Sequence, residues 1–143
     1  MMEVAVGALK NNPVWLIKAQ AATMLSRVVE VVSEDIDPSE ADEIYTTLTS
    51  MLSGRLWDGK VKVIQAIITL LQSTGEKLAA EWAKTSTVQQ KFIPLWKECK
   101  KKDRVYSAEA MRCASIFCEK THSMQDASEL FALIKHVIGF QGQ

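Results

Sequence analysis

The chain has 143 residues, of which 48% are hydrophobic and 24% charged, and 17 Lys and Arg balance 17 Asp and Glu. This length suits one domain with its own core, and the neutral sum excludes a disordered tail or a globally basic nucleic-acid binder. No apolar stretch approaches the roughly 20 residues of a membrane span. Three cysteines without a short spacing and the lack of a signal-peptide pattern predict a reducing compartment, the cytoplasm or the nucleus.

Apolar positions spaced three and four apart predict helices almost throughout, and no segment alternates as a strand would. The first helix is expected over about residues 13–32. A second helix should run to about residue 53, because Asp37, Pro38 and Glu40 match a capping box with proline at N1. Its expected inward positions are Ala41, Ile44, Leu48, Met51 and Leu52.

The rest of the chain is predicted to contain four further helices and one short helical piece. One opens near Gly59 and is expected to end at Ser73, Thr74 and Gly75, because glycine often terminates helices. A short piece at 76–84 and a helix at about 88–100 follow, and Pro94 should bend or divide that helix. The last two helices are expected at about 104–121 and 124–137.

Two sets of similar residues that recur at one fixed spacing indicate an internal repeat. Ala22, Ala66 and Ala110 recur at a spacing of 44 residues, and Ile17, Val61 and Val105 match at the same spacing. A period of about 40–47 residues is typical of HEAT and armadillo solenoids. We therefore predict an all-α solenoid of about three helical-hairpin repeats, one domain over residues 1–143 and a fragment of a longer solenoid. A six-helix bundle with coincidental matches is the alternative.

The sequence gives only weak candidates for a nucleotide-binding, metal-binding or catalytic site. Gly54 to Lys60 fits seven positions of a phosphate loop, but Val61 stands where Ser or Thr would hold magnesium, and a strand does not precede it. Nucleotide binding there is kept as a minor alternative. Cys113 and Cys118 lie about 140° apart on one helix, so they are expected to be buried structural residues rather than metal ligands. With no nucleophile elbow near either histidine, we predict a protein that is not an enzyme and needs no cofactor or metal.

Local charge is uneven and indicates where partners could bind. Acidic residues concentrate between 33 and 43, and basic residues concentrate between 97 and 104. Solenoids bind partners along ridges of inter-repeat turns, and a tryptophan in a glycine-flanked turn can anchor a partner. The candidate partner-binding residues are Trp57, Lys60, Lys97, Lys100, Lys101, Lys102 and Arg104. Residues 100–104 should form an exposed turn.

Three segments resemble the C-terminal part of the large proteasome-associated HEAT-repeat adaptor and scaffold family. They begin NNPVWLIKAQ, LTSMLSGRLWDGK and FIPLWKECKKKDRVY, and they follow in the family's order over about residues 12–116. The matched positions are Pro13, Trp15, Ala19 and Gln20, then Gly54, Arg55, Trp57, Gly59, Lys60, Ala66 and Ile67, then Lys97, Glu98, Cys99, Lys101, Tyr106, Ala110 and Cys113. The chain departs from the family at Val61 and Lys62, and in a shorter link before the third segment.

The resemblance implies a non-catalytic scaffold in ubiquitin-dependent protein degradation. Members bind the 26S proteasome, hold its core and regulatory particles together, or link it to other cell components. The family is very large, so this chain would be a fragment. A generic HEAT or armadillo module for transport or vesicle adaptors shares the same fold and is the alternative, whereas nucleic-acid binding and membrane insertion are not expected.

Overall fold

A computed structural model describes residues 15–52, 59–122, 128–133 and 135, the first four by backbone alone. Five helices are bounded in these ranges, and residues 128–133 are also helical. They are α1 (Trp15–Val32), α2 (Pro38–Ser50), α3 (Lys60–Thr85), α4 (Val88–Cys99) and α5 (Arg104–Thr121). No strand occurs among the described residues, and the all-α prediction is confirmed over these ranges.

The apolar spacing along α1 predicts one inward stripe formed by Trp15, Ala19, Ala22, Leu25, Val29 and Val32. Of these, Ala19, Ala22, Leu25 and Val29 are buried, Val32 is half-buried, and the side chain of Trp15 is outside the described residues. Just beyond the end of α1, the Lys77 ammonium donates to the carbonyl oxygens of Ser33 at 3.0 Å and Glu34 at 3.1 Å. It also donates to the Ile36 oxygen at 2.8 Å. A cation at this position also complements the helix dipole.

The predicted start of α2 is confirmed. The Glu40 amide donates to the Asp37 carboxylate at 2.9 Å, and the Asp37 amide donates back to Glu40 at 3.5 Å. The hydrogen bond from the Glu40 backbone is the main cause that lowers the pKa of Asp37. Four of the expected inward residues, Ala41, Ile44, Leu48 and Leu52, are buried, and Met51 is half-buried. Tyr45 is also buried, which the apolar spacing did not predict.

Helix α3 runs unbroken for 26 residues, so the predicted stop at Ser73, Thr74 and Gly75 is wrong. The expected short piece at 76–84 is the second half of the same helix. Gly75 is buried, and a Cβ there would stand 2.7 Å from both Cβ and Cγ of Lys120 on α5. The glycine therefore permits close approach of α3 and α5 rather than ending a helix. Ser86, in the left-handed region at φ 56°, follows the true end.

Pro94 lies inside α4. It was expected to bend or divide the helix, and it does not divide it. The flanking side chains Phe92 and Leu95 are buried in the core, and this tertiary packing holds the helix together across the missing amide. Helix α5 has the predicted bounds, 104–121. Of the last predicted helix, the described residues 128–133 and 135 are helical, and Leu130 is buried.

The long helix α3 is the centre of the fold and packs against α1, α2 and α5, while α4 packs on α5. An aromatic cluster joins these helices. Trp82 lies with its ring centroid 4.8 Å from that of Tyr45 and 5.6 Å from that of Phe117. The polar atoms of the cluster are satisfied, because Trp82 donates to Asp42 at 2.7 Å and the Tyr45 hydroxyl donates to the Lys91 carbonyl at 2.6 Å.

The two sets of residues that recur at a spacing of 44 differ in how deeply they are buried. Ala22, Ala66 and Ala110 are all buried, as the repeat predicts, and they lie on α1, α3 and α5. In the second set, Val105 is 79% exposed whereas Val61 is half-buried. The alanines thus share an environment and the valines do not, and the solenoid architecture stays a prediction.

Candidate interaction surface

The basic turn, defined here as residues 97–104, consists of the end of α4, the connection at 100–103 and the first residue of α5, and hydrogen bonds fix it at both ends. The Asp103 carboxylate caps α5 by accepting from the Tyr106 amide at 2.9 Å. The Ser107 hydroxyl donates to the Cys99 carbonyl at 2.7 Å, which ties the end of α4 to the first turn of α5. Capping of this kind holds the turn in one conformation and satisfies helix-end groups that would otherwise lack partners.

The cations of the basic turn point mostly to solvent. Lys97, Lys100, Lys102 and Arg104 are exposed, and Lys101 is half-buried with its ammonium 4.0 Å from Glu98. Among the described residues, no carboxylate lies within 4.0 Å of the charged groups of Lys97, Lys102 or Arg104. The Lys100 ammonium lies 4.7 Å from the ring centroid of Trp96. The predicted exposed turn is confirmed except for Lys101.

A buried polar network lies beneath the basic turn. The Lys60 ammonium is 3.0 Å from the Glu98 carboxylate, and the two side chains are 0% and 4% exposed. The Tyr106 hydroxyl donates to the same Glu98 oxygen at 2.6 Å. Lys60 also lies 5.6 Å from the Tyr106 ring centroid. Charged groups removed from water are tolerated only when they are paired and hydrogen-bonded, and these three side chains meet that condition together.

Burial, followed by the hydrogen bond to Glu98, raises the pKa of Tyr106 far above its usual range. The phenol therefore remains a hydrogen-bond donor to the carboxylate at physiological pH. Burial also raises the pKa of the neighbouring Cys99 thiol to about 12. Burial, with the nearby Glu98 charge, thus keeps the Tyr106 phenol and the Cys99 thiol neutral.

Lys60 requires a correction, because it was predicted to contact a partner. Its side chain is fully buried and paired with Glu98, so it offers no surface to another protein. The same pairing argues against the phosphate-loop alternative, in which this lysine would have to reach a nucleotide. Trp57 and residues 54–56 of that loop lie outside the described residues, so the prediction for Trp57 is unchanged.

The network joins two of the segments that carry the family resemblance. Lys60 comes from the glycine-rich segment, and Glu98 and Tyr106 come from the segment that contains KEC. Neither Glu98 nor Tyr106 was singled out as a site residue by its position or charge. The signal that could have found them is the presence of a lysine, a glutamate and a tyrosine at matched positions of two separate motifs.

The cysteines lie in the core. Cys99, Cys113 and Cys118 are all buried, as the sequence predicts. Within the described ranges, no group of three or more His, Cys, Asp or Glu side chains is arranged to hold a metal ion. In the same part of the chain, no helix is both long enough and apolar enough to cross a membrane.

Comparison with known proteins relates the chain to a proteasome adapter. The chain is 29% identical over 110 residues to the human proteasome adapter and scaffold protein ECM29. The match covers 75% of this chain and 6% of ECM29, so the chain spans only a small part of that relative's length. No family model matches the sequence, and no solved structure matches the fold.

Proposed function

We propose that this chain is a non-catalytic, proteasome-binding scaffold segment that acts in the cytoplasm and the nucleus. It helps to hold the core and regulatory particles together or links them to other cell components. The observation that carries this proposal is the 29% identity over 110 residues to a protein described as a proteasome adapter and scaffold. A scaffold needs a rigid surface rather than a reactive pocket, and the basic turn, capped at both ends, is such a surface.

The proposed architecture is a solenoid of about three HEAT or armadillo-like hairpins. Two observations support it. The helices that carry the recurring alanines are adjacent, because α3 packs against both α1 and α5. The intervening helices occupy corresponding places, with α2 packed on α3 and α4 packed on α5. Stacked helical hairpins produce this neighbour-to-neighbour packing.

The proposed contact is the basic turn, because Lys97, Lys100, Lys102 and Arg104 are exposed and no described carboxylate lies within 4.0 Å of their charged groups. Exposed lysines and arginines contribute chiefly to association rate and specificity, and reversing their charge should weaken binding to an acidic patch. Lys100, Lys102 and Arg104 are the most suitable positions, since all three are exposed. Lys101 is less suitable because it lies near the buried Glu98.

The test is co-sedimentation of the 143-residue chain with purified 26S proteasomes in the presence of ATP. The variant Lys100→Glu/Lys102→Glu/Arg104→Glu should bind at least about tenfold more weakly than the wild type. A matched control, Arg27→Glu/Lys62→Glu/Lys84→Glu, changes the net charge equally at exposed positions on other helices and should bind normally. A folded wild-type chain that fails to co-sediment would refute proteasome binding. Equal binding by both triple variants would refute the basic turn as the contact.

A further inference from the structure

One exposed face of α4 combines an aliphatic side chain with cations. The α4 stripe, defined as Ile93 and Lys97 on α4 and Lys100 at its C-cap, consists of positions four and three apart, which lie on the same side of a helix. Ile93 is 49% exposed, and both lysines are exposed. Trp96, half-buried beside them, has the Lys100 ammonium 4.7 Å from its ring centroid. This contact holds Lys100 against the Trp96 ring at the end of α4.

Beyond Lys100, the basic turn adds two more exposed cations to the α4 stripe. Lys102 and Arg104 follow within four residues of Lys100, and both are exposed. The acid between them, Asp103, has its carboxylate engaged in capping α5. The surface is therefore a cationic patch bordered at one end by an exposed aliphatic side chain.

We propose that the α4 stripe, together with Lys102 and Arg104, binds an acidic protein segment that carries an aliphatic side chain. The segment's carboxylates would face the lysines, and its aliphatic side chain would cover Ile93. Charge complementarity favours this occupant, and the exposed isoleucine gives it a second, apolar contact. This inference rests on the proposed scaffold function and deepens it by naming the chemistry that the contact recognises.

Nucleic acid and membrane surfaces fit the stripe less well. A phosphate backbone would use the cations but leaves Ile93 without an apolar partner. A membrane-binding helix needs a broad apolar face opposite its charged one. The apolar face of α4 is formed by Phe92 and Leu95. Both side chains are buried in the core, so they cannot enter a membrane. A protein segment is the occupant that satisfies both parts of the surface.

The direct test is fluorescence anisotropy of the 143-residue chain with a labelled peptide rich in Glu and Asp that contains two leucines. Two control peptides replace the acids by Gln or the leucines by Ser. We expect the Gln peptide to bind at least about tenfold more weakly and the Ser peptide about threefold more weakly. Failure of the acidic peptide to bind, or equal binding of the Gln peptide, would overturn the proposal. Tighter binding of a single-stranded RNA or of phosphatidylserine vesicles would overturn it in favour of those surfaces.

Matched variants locate the binding on the protein. Lys97→Glu/Lys100→Glu should weaken peptide binding about tenfold and Ile93→Ser about threefold. The control Arg27→Glu/Lys84→Glu, with the same change in net charge at exposed positions, should bind as the wild type does. Far-UV circular dichroism and the thermal midpoint verify that each variant is folded. If the control loses as much affinity as the stripe variant, the binding is non-specific and the proposal fails.

The failures of the two proposals are distinguishable. Carbodiimide cross-linking of the chain to purified 26S proteasomes joins lysines to carboxylates in direct contact, and cross-links from Lys97 or Lys100 to an acidic segment support both proposals. Peptide binding at the stripe without co-sedimentation would refute proteasome binding and leave the stripe's chemistry supported. Co-sedimentation that does not change in Lys97→Glu/Lys100→Glu, with no peptide binding, would refute the stripe alone.

Discussion

The Lys60 ammonium and the Glu98 carboxylate lie 3.0 Å apart with both side chains closed to solvent, although 37 residues separate them in the sequence. This pair connects the start of α3 to the end of α4. Tyr106, at the start of α5, donates to the same carboxylate. One buried acid thus fixes the mutual position of three helix ends directly below the exposed basic turn.

Removal of one member of this pair should destabilise the fold strongly. Lys60→Met leaves Glu98 buried without its cation, and we expect a loss of about 3–5 kcal/mol in the free energy of unfolding. The double variant Lys60→Met/Glu98→Gln removes both charges and keeps an acceptor for Tyr106, so it should recover most of that loss. Urea unfolding followed by circular dichroism measures both. The exposed neighbour Lys62→Met is the control and should change stability by less than about 0.5 kcal/mol. A Lys60→Met variant as stable as this control would contradict the prediction.

Substitution of Gly75 by alanine should destabilise the chain even though alanine favours helices. The new Cβ would stand 2.7 Å from Cβ and Cγ of Lys120, and these atoms are close to the α5 backbone and cannot move away freely. We expect a net loss of about 1–3 kcal/mol, since overpacking outweighs the gain in helix propensity. Ser73→Ala, on the same helix at a half-buried position, controls for propensity. Thermal unfolding in which Gly75→Ala is more stable than the wild type would show that the helices separate easily.

Stability should fall in alkaline solution. Burial raises the pKa of Cys99 from 9.0 to about 12, and it raises the pKa values of Cys113, Tyr45 and Tyr106 as well. Below pH 9 these groups are protonated in both states, so their contribution is fully present. As the pH rises above 9, the unfolded chain loses protons that the folded chain retains, and stability decreases by at most about 1.4 kcal/mol per pH unit for each group.

The alkaline prediction is checked by the thermal midpoint measured between pH 7 and pH 11. We expect a plateau up to about pH 9 and a progressive decrease above it. Cys99→Ala/Cys113→Ala should flatten the first part of the decrease, because the thiols ionise before the phenols. A midpoint that stays constant to pH 11 would contradict the burial of these groups.

The three thiols should be unreactive in the folded chain. Cys99, Cys113 and Cys118 are buried, and a thiolate must form and be reached before it can react. Ellman's reagent at pH 8 should therefore label none of them rapidly, whereas all three should react at once in guanidinium. A thiol that reacts rapidly in the native chain would show that α4 or α5 opens locally.

Much of the local structure could be predicted from the sequence. The Asp37–Glu40 capping box, the inward stripe of α1 and the bounds of α5 follow from short-range patterns, because they depend on neighbours within one helical turn. Exposure of Lys100, Lys102 and Arg104 followed in the same way from a run of charges. These features need no knowledge of which helices meet.

The errors have long-range causes. A glycine that ends a helix and a glycine that lets another helix approach have the same local sequence, and only the position of Lys120 decided the role of Gly75. Pro94 was expected to bend or divide its helix; it does not divide α4, because buried Phe92 and Leu95 hold the helix across it. Lys60 was predicted to contact a partner. Lysine is seldom buried, and its burial here is possible because Glu98, distant in sequence, pairs with it.

The sequence by itself determined the helical class, the capping signals and the placement of charge, because helix formation and solvation of isolated charges are governed by residues close in the chain. The tertiary structure decided the length of α3 and the burial of the Lys60–Glu98 pair. These depend on contacts between residues that are distant in sequence, and their free energy exists only once the helices have packed together.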